Sequence, residues 1–357
     1  MRHQYVLIGL IVTAAVSAGQ DVSGNAKKTS DEQQAPLAKG EIVAEMAKDL
    51  WYVFQATKGE YWFGSRTEGA FRYDGKRVTR FTWKHGLAGD SIGGFQEDKA
   101  GNLFISTDRG ISKFDGRSFT TLKPVAAAEW KKEPDDLWFA GPPDTGVVYR
   151  YDGKSLYRLA FPKTKAGDDA TLPRDKFPNA KYSPYDVYTI FKDSKGNVWF
   201  GKAVLGACRY DGKSFAWITE EELRNGSFGT RSIFEDQEGK FWFTNTLHRY
   251  AVDPPPEASN WYRKEKGIGD VSGHKQDEYS AFMSSVLGDD GAMWMAILGG
   301  VVYRYDGKSI TPYHVTSDGK THRVFSIYKD KQGVPWVGTQ AHGVYRFNGK
   351  AFERFKP

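Results

Sequence analysis

Asp193-Ser194-Lys195-Gly196-Asn197-Val198-Trp199-Phe200-Gly201, with Arg209-Tyr210-Asp211-Gly212-Lys213 behind it, decides the fold. The first piece is a turn of Asp and Gly running into an apolar strand centred on tryptophan. The second is a strand that stops at Asp-Gly, the dipeptide of two-residue hairpins in which both central residues take positive φ. Upstream, Val187-Tyr188-Thr189-Ile190-Phe191 reads as another strand, and Ser214-Phe215-Ala216-Trp217 as a short last one. The adjacent apolar residues Val198, Trp199 and Phe200 fit a sheet covered on both faces.

This sentence recurs along the chain. Its tryptophan half returns at Gly59–Ser65, Gly101–Thr107, Asp136–Gly141, Gly239–Thr244, Gly291–Ala296 and Gly333–Thr339. Its Asp-Gly half returns as Arg72-Tyr73-Asp74-Gly75-Lys76, Lys113-Phe114-Asp115-Gly116-Arg117 and Arg150-Tyr151-Asp152-Gly153-Lys154. It appears again as Arg304-Tyr305-Asp306-Gly307-Lys308 and Arg346-Phe347-Asn348-Gly349-Lys350. One unit keeps only Arg249-Tyr250 before Asp253-Pro254-Pro255-Pro256. Seven repeats of a four-stranded sheet buried on both faces predict an all-β, seven-bladed β-propeller over residues 50–357, with four antiparallel strands per blade. Those 308 residues average 44 per blade.

The spacing of the Trp position is uneven: 42, 34, 61, 43, 52 and 42. The long intervals place inserted loops at about 159–183 and 251–278. The first unit starts with its inner strand and the last ends with an outer one, so ring closure is expected from blade packing alone. The Ile42–Met46 segment is the only candidate for a strand donated across the seam.

Composition agrees with many short strands and tight turns. Of 357 residues, 15% are aromatic and 39 are Gly, while 39% hydrophobic and 26% charged residues exclude wholesale disorder. One Cys excludes a disulfide scaffold and a Cys-rich metal site, and Cys208 reads as a small apolar filler. A net charge of +6 without a Lys/Arg block excludes nucleic acid as an obligate partner. Residues 1–18 have the pattern of a secretory signal peptide: Arg2, an apolar run from Tyr5 to Val16, and small residues at Val16-Ser17-Ala18. Residues 19–49 read as a flexible leader, with Lys39–Asp49 open between a short helix and an edge strand. A periplasmic or secreted protein with no integral membrane span after signal removal is expected.

The paired motifs, Asp-x-x-Gly-x-x-Trp-Phe-Gly and then Gly-Val-x-Arg-Tyr-Asp-Gly-Lys, resemble the two-component-regulator propeller repeat. That family supplies the periplasmic sensor part of hybrid histidine kinases and is associated with detecting polysaccharide fragments. The resemblance runs from Leu50 to the end. It implies a sensor-like propeller, here with no kinase or regulator sequence. The repeats are also similar to those of the virginiamycin B lyase family, an antibiotic-opening enzyme using His, Glu and a divalent metal. That likeness carries no catalytic residue onto a position here.

In a ring of near-copies, recurring residues are architecture and departures are candidates for function. The turn acids Asp98, Asp193, Asp236 and Asp330 read as turn acceptors rather than calcium ligands. The repeated Arg72, Lys113, Arg150, Arg209, Arg249, Arg304 and Arg346 read as stems packed on aromatics, with heads near carboxylates. Non-repeated residues on the loop-rich face form the candidate ligand set. Arg66, Arg109, Lys202, Asn245 and His342 lie between second and third strands. Tyr185, Arg231, Tyr279, His322 and Arg323 enter the inner strands. The insertions are expected to bring Tyr182, Trp261, Tyr262 and His274 to the same face. Aromatic planes beside Arg, Asn and His suit a carbohydrate or other small polar ligand, or an envelope protein.

His322 and His342 lie in one blade and, with a nearby carboxylate, define a weaker metal or acid–base alternative. His-Glu-x-x-His and a phosphate-cradling loop are missing, and no catalytic residue, metal ligand or cofactor is assigned. The expectation is an exported ligand- or protein-binding propeller of sensor or scaffold type. The alternative is a metal-assisted lyase or hydrolase on the loop-rich face.

Overall fold

The computed structural model describes residues 37–127, 129–170, 183–223, 229–252, 261–271, 273–317 and 319–357. The signal-peptide reading, Tyr182 and the tips of both insertions lie outside them. No helix among the described residues is long and apolar enough to cross a membrane.

The chain forms seven blades. In six of them the strands run in sequence order from the central channel outward, each antiparallel to the next. Blade 4 shows the plan: Val187–Lys192, Val198–Lys202, Ala207–Tyr210 and Phe215–Ile218. Each Trp strand packs between blades, as the sequence predicts; Trp62, Trp199 and Trp336 are fully buried.

The turns explain the recurring Asp residues. In blade 7, Asp330 Oδ1 accepts the amides of Gln332 and Val334, and its Oδ2 accepts Trp336 Nε1 at 2.8 Å. Asp193 serves Trp199 and Asp236 serves Trp242 in the same way. One carboxylate therefore ties the turn to the blade core. The repeated Arg residues also behave as architecture. Arg150 makes a buried two-point contact with Asp136 at 2.5 and 3.1 Å, and Arg346 lies 5.6 Å from the Trp336 ring centre.

The Asp-Gly hairpins differ from the two-residue form. Tyr73 pairs with Val78 and Tyr210 with Phe215, so each loop holds four residues. Only the glycines take positive φ, at 92° for Gly75 and 102° for Gly212. The Asp stays outside the left-handed region because its carboxylate organises the loop: Asp74 Oδ1 accepts the amides of Lys76 and Arg77.

Two strands depart from the plan. Glu41–Val43 pairs antiparallel with Val78–Phe81, adding a fifth strand to blade 1's own outer edge. The segment after Lys39 is thus an edge strand, and it is not donated across the seam. Closure comes from side chains and one main-chain bond: Trp51 stacks on Phe325 at 3.8 Å, Phe63 on Phe355 at 5.7 Å, Tyr61 Oη donates to Asp330 at 2.8 Å, and the Gly343 amide donates to the Lys48 carbonyl at 2.7 Å. Blade 3 has no inner strand among the described residues. Its order is Pro124–Ala126, Leu156–Ala160, Val147–Tyr151 and Leu137–Ala140, the first pair parallel. The residues that would form the inner strand run instead along the outside of the blade.

Candidate functional site

The inner strands carry a recurring irregularity at the end where blades connect. The register slips between Leu50 and Tyr52, Ile92 and Gly94, Val187 and Thr189, and Val324 and Ser326. The skipped residue is a β-bulge, which re-aims one side chain out of the ladder. Blades 5 and 6 can be aligned through the partners of Trp242 and Trp294, which are Phe234 and Val286. Three positions before these, the same slot holds Arg231 and Met283. Trp51, Gly93, Tyr188, Arg231, Met283 and Phe325 therefore ring the channel mouth, with blade 3 contributing none.

Neighbours in this ring touch. The Arg231 guanidinium lies 4.2 Å from the Tyr188 ring centre, a cation–π distance. Trp51 stacks on Phe325, and the Arg66 guanidinium sits 5.1 Å from the Trp51 ring centre while one of its nitrogens donates to the Ile92 carbonyl at 3.1 Å. Tyr188 is 40% exposed, unusually open for a tyrosine on an inner strand. Burial raises the pKa of the neighbouring Tyr52 phenol, and the charges of Arg66 and Arg231 both oppose the rise. Both guanidiniums thus lie in electrostatic reach of one phenol. Among the described residues neither Arg66 nor Arg231 has a carboxylate partner, whereas Arg72, Arg150, Arg249 and Arg304 each pair with one. The mouth combines flat aromatic surface with two arginines that have no carboxylate partner among the described residues.

Of the ten sequence candidates, the structure brings Arg66 and Arg231 into this cluster. His322 and His342 meet in blade 7, stacked at 3.6 Å and 17°, with Ser317 Oγ 2.6 Å from His322 Nε2. No group of three His, Cys, Asp or Glu comes together among the described residues. Arg323 gives its carbonyl to the Gln340 amide, and Arg109 is an exposed side chain 3.9 Å from Asp108.

The other four are built into the scaffold. Tyr185 Oη accepts the Thr164 amide at 2.7 Å and fastens the insertion after blade 3. Asn245 is buried, donating to the carbonyls of Leu223 and Phe243. Tyr279 is fully buried and its hydroxyl donates to Gly269.

Lys202 is also fully buried. Its ammonium lies 2.8 Å from the Phe161 ring centre and donates to the Tyr185 carbonyl at 3.1 Å. Burial pushes the Lys202 pKa down to about 7 and the neighbouring Cys208 thiol up to about 12. Cys208 is a core filler, as read.

The expected location of the insertion aromatics needs correcting. Tyr262 begins the outer strand of blade 5, and the inserted stretch before it joins third and fourth strands. That places Trp261 and the start of this strand at the hairpin end, opposite the mouth. Trp261 lies against Arg209, 4.7 Å away, and Trp199. His274 stays in the blade 5 to 6 connection, 2.9 Å from Glu278. Sequence reading missed Trp51, Tyr52, Tyr188, Met283 and Phe325. The column shared by Trp51, Tyr188, Met283 and Phe325, after the first apolar residue of the inner strand, was the available signal.

The comparisons with known proteins agree with this architecture. The chain carries the two component regulator propeller repeat: the model of that family matches residues 181–201, the start of blade 4. No curated protein matches the sequence. Among solved structures, the extracellular domain of a hybrid two component system, BT4673, from B. thetaiotaomicron aligns over 87% of this chain, with TM-score 0.57 and 18% identity. The chain spans 39% of that ectodomain's length. Virginiamycin B lyase from Staphylococcus aureus aligns over 86% of this chain and 97% of its own, with TM-score 0.59 and 11% identity. The WD40 propeller of Doa1 aligns over 89% of this chain and 98% of its own, with TM-score 0.57 and 12% identity. At these identities the likeness is one of fold.

Proposed function

We propose that this propeller is an exported recognition module of sensor or scaffold type, which binds a polar, negatively charged ligand at the mouth of its channel. One observation carries the reading: the bulge residues of the inner strands converge on two arginines without carboxylate partners. The aromatic faces of Trp51, Tyr188 and Phe325 supply apolar planes of the kind that pack on the C–H face of a sugar ring. Arg66 and Arg231 supply forked donors for a carboxylate. An acidic saccharide satisfies both. The repeat and the ectodomain likeness support a sensor-type role, and the export pattern of residues 1–18 supports a periplasmic or secreted location.

Calorimetry with oligogalacturonate and its neutral, methyl-esterified form tests this reading. Wild type binds the acidic form more tightly. Arg231→Ala loses about tenfold or more in affinity, the worth of one charged hydrogen-bonding group. Equal affinity for both forms, unchanged by Arg231→Ala, sinks the reading.

A further inference from the structure

Among the described residues blade 3 lacks the strand that the six other blades place against the channel, and its Trp strand, Leu137–Ala140, ends the sheet. The free edge has a defined direction. Gly141 donates its amide to Val147 in the third strand. Residues in a strand alternate sides, so the backbone groups of Trp138 and Ala140 face the other way, into the missing-strand position. Gln96 confirms this: its side-chain amide crosses from blade 2 and caps the Trp138 carbonyl at 2.6 Å. The Ala140 backbone has no protein partner on that side among the described residues, and Ala140 is exposed.

The walls beside this edge are open. On blade 2 the inner strand reads Gly93-Gly94. A methyl group added at Gly94 meets nothing within 4 Å, and one at Gly93 meets only Ser106, at 3.7 Å. On blade 4 the wall is Tyr188. The inner strand on each side carries a guanidinium with no carboxylate partner among the described residues, Arg66 on the Ile92 carbonyl of blade 2 and Arg231 on the Tyr188 ring of blade 4.

We propose that the blade 3 gap is a docking slot for an extended peptide from a partner. The peptide completes the sheet antiparallel to Leu137–Ala140 and places an acidic residue at the mouth between Arg66 and Arg231. The other blades define what fits. Their inner strands at this position are six residues long in blades 1, 2, 4 and 7, and Asp49 and Asp186 directly precede two of them. Main-chain bonds to the edge supply affinity, and the arginine pair selects the acidic end. The slot depends on the blade 3 edge, which a small ligand at the aromatic ring does not require. Each proposal therefore survives failure of the other.

A labelled peptide with the sequence of residues 186–192 is the probe, used with the whole chain in fluorescence anisotropy and hydrogen exchange. In the free protein, the Trp138 and Ala140 amides exchange faster than the matching Trp199 and Gly201 amides, and the peptide slows them. Ala140→Pro removes the edge donor without breaking an existing ladder bond, and weakens binding about tenfold or more. Gln96→Ala removes the cap that the peptide must displace and tightens binding, a change that misfolding does not imitate. Absence of binding, or binding indifferent to both variants, overturns the slot. So does a free protein in which Trp138 and Ala140 are already as protected as Trp199 and Gly201, because the chain then fills its own gap.

Discussion

Lys202 shows why a polar residue's exposure matters more than its identity. As a cation on a propeller's loop face it looked like a ligand contact. In the structure it is a buried ammonium among Phe161, Phe200 and Trp217. Its pKa is pushed down to about 7 by burial, below its ordinary value. The unfolded chain then binds more protons than the folded one above pH 7, so stability rises with pH from about 7 towards 10.5. Lys202→Met keeps the packing and abolishes that slope. It stabilises the protein by roughly 2–4 kcal/mol at pH 6, read from urea titrations across pH. Glu220 acts in the opposite sense. Burial raises its pKa to about 7, so its ionisation removes stability as pH climbs from about 4.5 through 7. Glu220→Gln flattens that decline in the same titrations. Arg66 and Arg231 were legible as departures from the repeat. Trp51, Tyr188 and Phe325 were not, because aromatic residues on strands first read as core and only the register exposes the bulge that turns them to the mouth.

At the scale of the element, the repeated motif was readable because each part has one physical task. Asp330 organises a turn and holds the Trp336 indole at once, so Asp330→Ala leaves a buried N–H and two turn amides unsatisfied. The expected loss is about 1–3 kcal/mol in denaturant melts. The hairpin form was misread because Asp-Gly alone does not reveal that an Asp carboxylate replaces the second left-handed residue. The missing strand of blade 3 left one trace. The Trp spacing falls to 34 there against 42 in the preceding blade, a deficit about the size of a strand. Composition could not show it, because Val125 and its alanine neighbours suit an outer strand as well as an inner one.

For the whole molecule, the count of seven blades followed from arithmetic on the repeat, while the mode of closure needed coordinates. The seam between the first and last blades is held by Trp51, Phe63, Phe325, Trp336 and Phe355 without a shared strand. Phe63→Ala, at a fully buried seam position, is expected to cost about 3–5 kcal/mol in thermal or chemical unfolding. Ile42→Ala, on the exposed added strand of blade 1, changes stability by no more than about 0.5 kcal/mol. A ring closed this way leaves the inner strands free to carry different residues at one height, and the mouth site is built from that freedom.

The most direct test of that site is a ligand-soaked crystal structure with oligogalacturonate, paired with calorimetry on wild type and a Tyr188→Ala, Arg231→Ala double variant. A carboxylate between Arg66 and Arg231 with a sugar ring against Tyr188, and binding abolished in the double variant, is the predicted result. An empty mouth, or a saccharide bound elsewhere with full affinity in the double variant, contradicts it.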